Sequence, residues 1–335
     1  MRIFVVEYIT GGGLIGGPMS SRFLAEAETM LGALLDDLSV LPDVHLLVSR
    51  DPRLPPLDCS CDVFTPAVTD DIWQAWAHCI NRCDAVWAIM PESDGLLQRI
   101  SRMTLAQGRR LIGSHPAGVA IAASKSLTAK YLQRMNIDTV PTFDVAAKIP
   151  FRDSRWVLKP DDGAGGEGAR AFASYSTMRR ALQDRDRYTG YVAQPYVQGI
   201  AASLSMLCCD GTATLLSANL QQVHESGEGF ELEGVLVNGI PNAHAHYSWL
   251  ARSVARAIPG LWGYVGVDLV LTAGGPLILE VNPRLTVSYA GLHSALAVNP
   301  ARLILRMLRK GFVLPPCTPV SCWSSRVALD VSRVA

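Results

Sequence analysis

Residues 155–168 read Arg155-Trp-Val-Leu-Lys159-Pro-Asp-Asp-Gly163-Ala-Gly165-Gly166-Glu-Gly168. A short β-type run ends in a lysine, then turns through a glycine-rich loop that returns into a second strand and opens no helix. Glycine lets the main chain come close to a ligand, so such a hairpin can fold its backbone N–H groups over phosphates. Lys159, on the strand leading in, can reach the same oxygens. No Gly-Lys-[Ser/Thr] follows, which separates this loop from a Walker A motif. Taken alone, the loop is equally a surface hairpin, and the rest of the chain has to decide.

The acids downstream favour a site. Asp268 lies in Val265-Gly-Val-Asp-Leu-Val270, and Glu280 ends the run Leu277-Ile-Leu-Glu280, with Asn282 two residues further on. On an extended backbone residues two apart share a face, so Glu280 and Asn282 point the same way. Two carboxylates and an amide oxygen make a hard-oxygen set suited to Mg²⁺ on phosphates. Both acids have apolar neighbours in sequence, where an unpaired charge is costly. Solvated edge carboxylates are the plainer alternative.

Upstream, the chain alternates as β-α-β units. Strands are expected at 3–6, 44–48 and 85–90, and helices at 19–38, 70–82 and 96–107, giving a small parallel α/β unit over 1–113. A helix at 124–135 carries Lys125 and Lys130. A linker-and-lid segment is expected over 114–192 and a further unit over 193–335. There, strands at 203–209, 212–220, 263–271 and 276–281 suggest antiparallel pairing, with helices at 246–257 and 300–308. The fold class is therefore α/β, turning to α+β in the C-terminal part.

Bulk properties exclude several classes. The 335 residues are 49% hydrophobic and 18% charged, as in a compact chain, and 30 Lys+Arg balance 30 Asp+Glu. That balance gives no footprint for nucleic acid. No apolar run approaches the roughly 18 residues of a membrane helix, and the N-terminus lacks a signal-peptide pattern. A cytoplasmic protein without nucleic-acid or membrane partners is expected. The eight cysteines include Cys59, Cys61, Cys79 and Cys83, imaginable as a zinc quartet. Their spacing lacks C-x₂-C knuckles, so free thiols are expected there and at Cys208, Cys209, Cys317 and Cys322.

Lys125, Lys159 with its glycine loop, Gln194-Pro-Tyr-Val197, Asp268 and Glu280-Val-Asn282-Pro-Arg284 occur in the order used by the ATP-grasp superfamily. The chain resembles that superfamily over most of its length, which implies an ATP-grasp fold behind a Rossmann-like pre-ATP-grasp domain. The resemblance implies that Lys125, Lys159, Gly163, Gly165, Gly166 and Gly168 hold ATP phosphates. It places adenine on the hinge Gln194, Pro195, Tyr196 and Val197. Asp268, Glu280 and Asn282 become Mg²⁺ ligands, for two ions with Mn²⁺ as a substitute. Arg284, with Lys159, becomes catalytic by steadying an acyl phosphate. One departure concerns ribose: no acid follows the hinge in Gly199-Ile-Ala-Ala-Ser203, leaving Ser203 or Gln198 as substitutes. Within the superfamily, Asn282-Pro-Arg-Leu-Thr-Val-Ser-Tyr-Ala-Gly-Leu292, the stretch Glu7-Tyr-Ile-Thr-Gly-Gly-Gly13 and Pro91-Glu-Ser-Asp-Gly95 are most similar to the tyramine–glutamate ligases of methanofuran biosynthesis.

That resemblance implies an ADP-forming carboxylate–amine ligase acting on small molecules, glutamate and a tyramine- or tyrosine-like amine, with a homodimer left open. Glu7, Glu92, Asp94, Thr286 and Ser288 are substrate-site candidates, the three acids also as bases for the amine. Other amino-acid or peptide ligases, a non-catalytic ATP sensor and an NAD-type protein are the rival readings. The last comes from Thr10-Gly-Gly-Gly-Leu-Ile-Gly-Gly17, where Gly11, Gly13 and Gly16 match G-x-G-x-x-G. No acid ends the second strand, as a ribose contact would require. Gly11, Gly12 and Gly13 are accordingly expected to hold a substrate carboxylate at a helix N-terminus.

Overall fold

A computed structural model describes residues 1–226, 229–315 and 325–331. The N-terminal part is a five-stranded parallel sheet of β1 (Arg2–Glu7), β2 (His45–Ser49), β3 (Asp62–Phe64), β4 (Ala85–Ile89) and β5 (Arg110–Leu111). Its strand order is β3-β2-β1-β4-β5. The central strand reads Ile3-Phe-Val-Val6 and is fully buried, as a parallel strand covered on both faces must be. Helices α1 (Ser21–Ser39), α2 (Ile72–Asn81) and α3 (Leu96–Ala106) cover it. Leu31, Leu34 and Leu38 of α1 are buried, each contributing about 2 kcal/mol of hydrophobic stabilisation.

The strands and helices expected in 1–113 are present, β3 is an addition in a stretch read as loop, and one further detail differs. The opening glycines do not start a helix: Ile9–Gly13 forms a wide turn, and α1 begins only at Ser21. A helix unassigned from sequence, α4 (Pro116–Ala123), precedes α5 (Lys125–Arg134). A second, antiparallel sheet follows, made of β6 (Phe143–Asp144), β7 (Trp156–Pro160), β8 (Arg170–Phe172) and β9 (Tyr191–Pro195), with α6 (Tyr175–Ala181) packed on it. Its order is β6-β9-β7-β8, so the glycine loop is the β7–β8 connection.

The third sheet has order β14-β13-β10-β11-β12-β15 and is antiparallel throughout. Its strands are β10 (Ile200–Cys209), β11 (Thr212–Ser226), β12 (Gly229–Val237), β13 (Gly263–Thr272), β14 (Gly275–Asn282) and β15 (Val327–Asp330). Helix α7 (Ala243–Ala257) lies between β12 and β13, and α8 (Leu292–Leu296) and α9 (Pro300–Met307) follow β14. One hydrophobic core joins this sheet to the first, because Leu31, Leu34 and Leu38 pack in the same cluster as Tyr289, Leu292 and Ile304. A polar clasp crosses that seam: Tyr289 Oη donates to Asp37 at 2.7 Å, and His293 Nδ1 lies 2.6 Å from its other oxygen. Burial pushes the Asp37 carboxyl up despite these partners.

The zinc quartet dissolves in space, since Cys79 and Cys83 are buried in one core and Cys59 and Cys61 pack at the edge of another. Cys208 and Cys209 are free and buried. Cys317 and Cys322 lie outside the described residues. Among the described residues no helix is long and apolar enough to cross a membrane.

Candidate active site

Lys159, the penultimate residue of the inner strand β7, is buried. Burial pulls its ammonium down to about 8, with Lys125 adding to the effect and Glu280 and Asp268 opposing it. Lys125 is the first residue of α5, whose N-cap Ser124 accepts from Leu127 N. A cation there meets the positive end of the helix dipole, a misplacement that a bound polyanion would offset. Its Nζ donates to Gly163 O at 2.5 Å and lies 3.7 Å from Glu280 Oε2. Asp161 holds this helix start from the glycine loop, accepting from Ser124 Oγ at 2.6 Å and Ser126 N at 2.8 Å.

The two acids face each other through a defect in the sheet. Asp268 pairs with Glu280 across β13 and β14, but Leu269 pairs with Ile278, so Leu279 is an extra residue. Bulges of this kind re-aim side chains. Burial, then the charge of Glu280, pushes Asp268 up to about 7. Burial also opposes the Glu280 charge, yet Lys125 and Lys159 outweigh it and hold that carboxyl below its usual value. Asp268 accepts from Gln221 Nε2 and from Asn282 Nδ2, each at 2.8 Å. Asn282 thereby keeps its amide oxygen out of that bond. Among the described residues no three His, Cys, Asp or Glu side chains cluster as a metal site. The fit to a divalent cation rests instead on two facing, half-buried carboxylates plus this amide. Their mutual repulsion is what such an ion relieves.

A cavity of 480 Å³ is lined by Lys125, Lys159, Gly163, Gly166 and Glu280, and Asp268 and Asn282 are not among its lining residues. Gln194, Pro195, Tyr196 and Val197 line it too, between apolar walls that include Val157, Ile200, Leu269 and Leu279. The Tyr196 N–H donates to Arg155 O at 2.8 Å, and the Gln194 side chain donates to Thr142 Oγ1 at 2.8 Å, so the segment is fixed at both ends. Gly168 is a turn residue with φ +70°, where a Cβ would meet the Tyr191 hydroxyl at 2.9 Å, and it is not among the lining residues. Ser203 is also absent: it is buried beneath the acids, accepting from Asn219 Nδ2 at 3.2 Å. The structure thus corrects its reading as a ribose contact.

A second cavity of 560 Å³ lies between α1, the first sheet and the same glycine loop. Glu7, Asp94 and Gly165 line it, and so does Arg284, whose Nε donates to Glu92 Oε2 at 3.0 Å. The Glu7 carboxylate is capped by Thr10 N at 2.6 Å and Thr10 Oγ1 at 2.8 Å, while burial raises it. Glu7 and Glu92 are thus engaged, against their reading as bases. Gly11, Gly12 and Gly13 do not line the cavity. Ser49 Oγ donates to Gly11 O at 2.6 Å, and a Cβ on Gly12 or Gly13 would meet Pro66 or Tyr8. They shape a turn against the protein's own interior, and no helix N-terminus stands behind them. Thr286 and Ser288 are likewise turned inward, toward the Tyr264 hydroxyl at 2.8 Å and Ser203 Oγ at 3.4 Å.

Sequence reasoning missed Gln221 and Glu26. The first braces Asp268 from β11, and the second lines the second cavity from within α1. Gln221 sits just past a strand read as 212–220, and Glu26 reads as a polar residue on an amphipathic helix. No local signal marks either.

Comparison with known proteins agrees with this fold. An ATP-grasp domain profile matches residues 122–288, and a pre ATP-grasp 3 domain profile matches 44–119. A tyramine–L-glutamate ligase of Methanocaldococcus fervens is 26% identical over 300 residues, covering 87% of this chain and 89% of the relative. An ATP-grasp superfamily protein from Archaeoglobus fulgidus superposes with a TM-score of 0.70 at 20% identity, over 91% of this chain and 88% of its own. D-alanine–D-alanine ligase from Bacillus anthracis in complex with ATP gives 0.61 at 15% identity, over 92% and 97%. Two lysines above two facing carboxylates, a fixed hinge and a glycine loop between strands are thus set in a matching fold. The chain belongs to the ATP-grasp superfamily and is an ADP-forming carboxylate–amine ligase.

Proposed function

We propose that the enzyme joins the carboxylate of glutamate to a tyramine- or tyrosine-like amine through an acyl phosphate, releasing ADP and phosphate, with residues 1–113, 114–192 and 193–335 as its units. The observation that carries this reading is the meeting of two cavities beneath one glycine loop, with Lys159 and Glu280 on one side and Arg284 on the other. The similarity to the Methanocaldococcus fervens enzyme supports the choice of substrates.

Adenine stacks between the apolar walls beside the hinge Gln194–Val197, whose backbone reads its edge. Lys125 and Lys159 bind the polyphosphate, and Gly163 and Gly166 let the loop backbone close over it. A divalent cation held by Asp268, Glu280 and Asn282 would supply further neutralisation of phosphate charge. With that charge reduced, the substrate carboxylate attacks the γ-phosphate and ADP leaves. Arg284, held by Glu92, stabilises the acyl phosphate and then the oxyanion formed as the amine attacks. The closed loop keeps water from the intermediate.

The test is to incubate the protein with ATP, Mg²⁺, glutamate and a panel of amines including tyramine and tyrosine, and to weigh the products. An amide product with ADP and phosphate is expected. AMP and pyrophosphate would exclude the mechanism, and a different amide would replace the proposed substrates.

A further inference from the structure

We propose that Glu26 is the acidic anchor of an amine subsite, and that the second cavity accepts a primary ammonium carrying an apolar arm; the inference rests on the ligase reading above. Helix α1 presents Phe23, Glu26, Ala27 and Met30 to this cavity, the spacing of a single helical face. One carboxylate therefore interrupts an otherwise apolar stripe. Its side chain is 15% exposed, and Oε1 is buried without a hydrogen-bond partner. Arg22 Nε forms an i,i+4 ion pair with that oxygen at 3.6 Å, too long for a hydrogen bond, so Oε1 has a neighbouring charge but no donor in contact. A buried carboxylate oxygen left in this state is stabilised by any donor cation that reaches it.

The other lining groups divide the work by elimination. Arg284 is the single cation among the described lining residues, which suits it to the carboxylate partner. Of the four acids there, Glu7 is capped by Thr10, Asp94 is exposed, and Glu167 sits exposed on the loop overhead. Glu26 alone is both largely buried and short of a hydrogen bond. Burial raises its carboxyl, while Arg22 and then Arg284 pull it back toward the charged form. Around it Leu14, Met19, Phe23, Met30 and Leu96 form the wall for an apolar arm. An aromatic or aliphatic amine matches both features, whereas a polycation would leave charges facing that wall.

The test uses the whole chain and two probes of one shape, 2-phenylethylammonium and uncharged 2-phenylethanol, titrated by calorimetry at neutral pH. Glu26→Gln is expected to weaken the ammonium about 30-fold, the equivalent of a lost charge-assisted hydrogen bond, and to leave the alcohol within about twofold. Glu26→Asp should recover part of the loss, and Phe23→Ala should weaken both probes. Ser20→Lys, at an exposed position on the rim, adds a rival cation and guards against poor folding of the Glu26 variants. It should also weaken the ammonium selectively. Unchanged ammonium binding in Glu26→Gln, or equal loss of both probes, would overturn the proposal. Calorimetry needs no turnover, so absent ADP release in the parent enzyme would refute the ligase reading without deciding the subsite.

Discussion

Arg284 Nε donates to Glu92 Oε2 at 3.0 Å, joining residues 192 apart in sequence. The pair ties the loop after β4 of the parallel sheet to the segment that follows β14. Both side chains are nearly buried, at 13% and 5% exposed. Each therefore depends on the other for compensation of its charge.

Breaking that pair should cost more than a contact. Glu92→Ala leaves a buried guanidinium without its partner, and a loss of about 3 kcal/mol is expected. ADP release should fall while ATP affinity holds, because Lys125 and Lys159 are untouched. Thermal unfolding and nucleotide titration measure the two effects, and wild-type stability in this variant would contradict the role given to the pair.

The acids and lysines of the candidate site make a sharper case. Glu280→Gln and Lys159→Ala should each lose most ADP-forming activity while remaining folded. Replacing Glu280 also removes the charge that raises Asp268, so circular dichroism should report an intact fold. Near-wild-type turnover in either variant would refute the site.

Gly12→Val is expected to act through stability. The position has φ +98°, and a Cβ would lie 2.7 Å from Pro66 Cγ. Strain and overlap together should cost about 2 kcal/mol or more. The folded fraction should keep its half-saturation for amino-acid substrate. A rise in that constant without loss of melting temperature would restore the glycines as substrate contacts.

The buried thiols supply a pH prediction. Burial pushes Cys79 and Cys83 up to about 11 from the usual 9.0, so the folded chain holds them protonated. A raised thiol gives stability that is complete below its unfolded value and is lost as pH rises through the folded one. The melting temperature should decline between pH 9 and pH 11 from this source. Iodoacetamide at pH 7.5 should spare both cysteines in the native protein and modify them after denaturation; mass spectrometry locates the adducts.

Much of this architecture is legible in the sequence because its determinants are local. Alternating β-α units, Lys159 before a glycine hairpin, and Glu280 and Asn282 on one strand face all follow from spacing. The rest depends on residues far apart. Asp268 and Glu280 meet because of the extra residue at Leu279. Gln221 reaches Asp268 from a neighbouring strand, and Asp37 meets Tyr289 across 252 residues. The glycine-rich N-terminal stretch misleads for the opposite reason: its pattern is local and clear, but α1 starts too late to stand behind it.

The loop between β7 and β8 touches both chambers. Gly163 and Gly166 line the first cavity, Ala164 and Gly165 line the second, and Glu167 borders each. Helix α1 latches it, with Arg22 Nη2 donating to Gly165 O at 3.1 Å. A strip of five residues is thus a wall common to two cavities. A shift of this strip would alter both linings at once, and the bond from Arg22 makes α1 a party to either change.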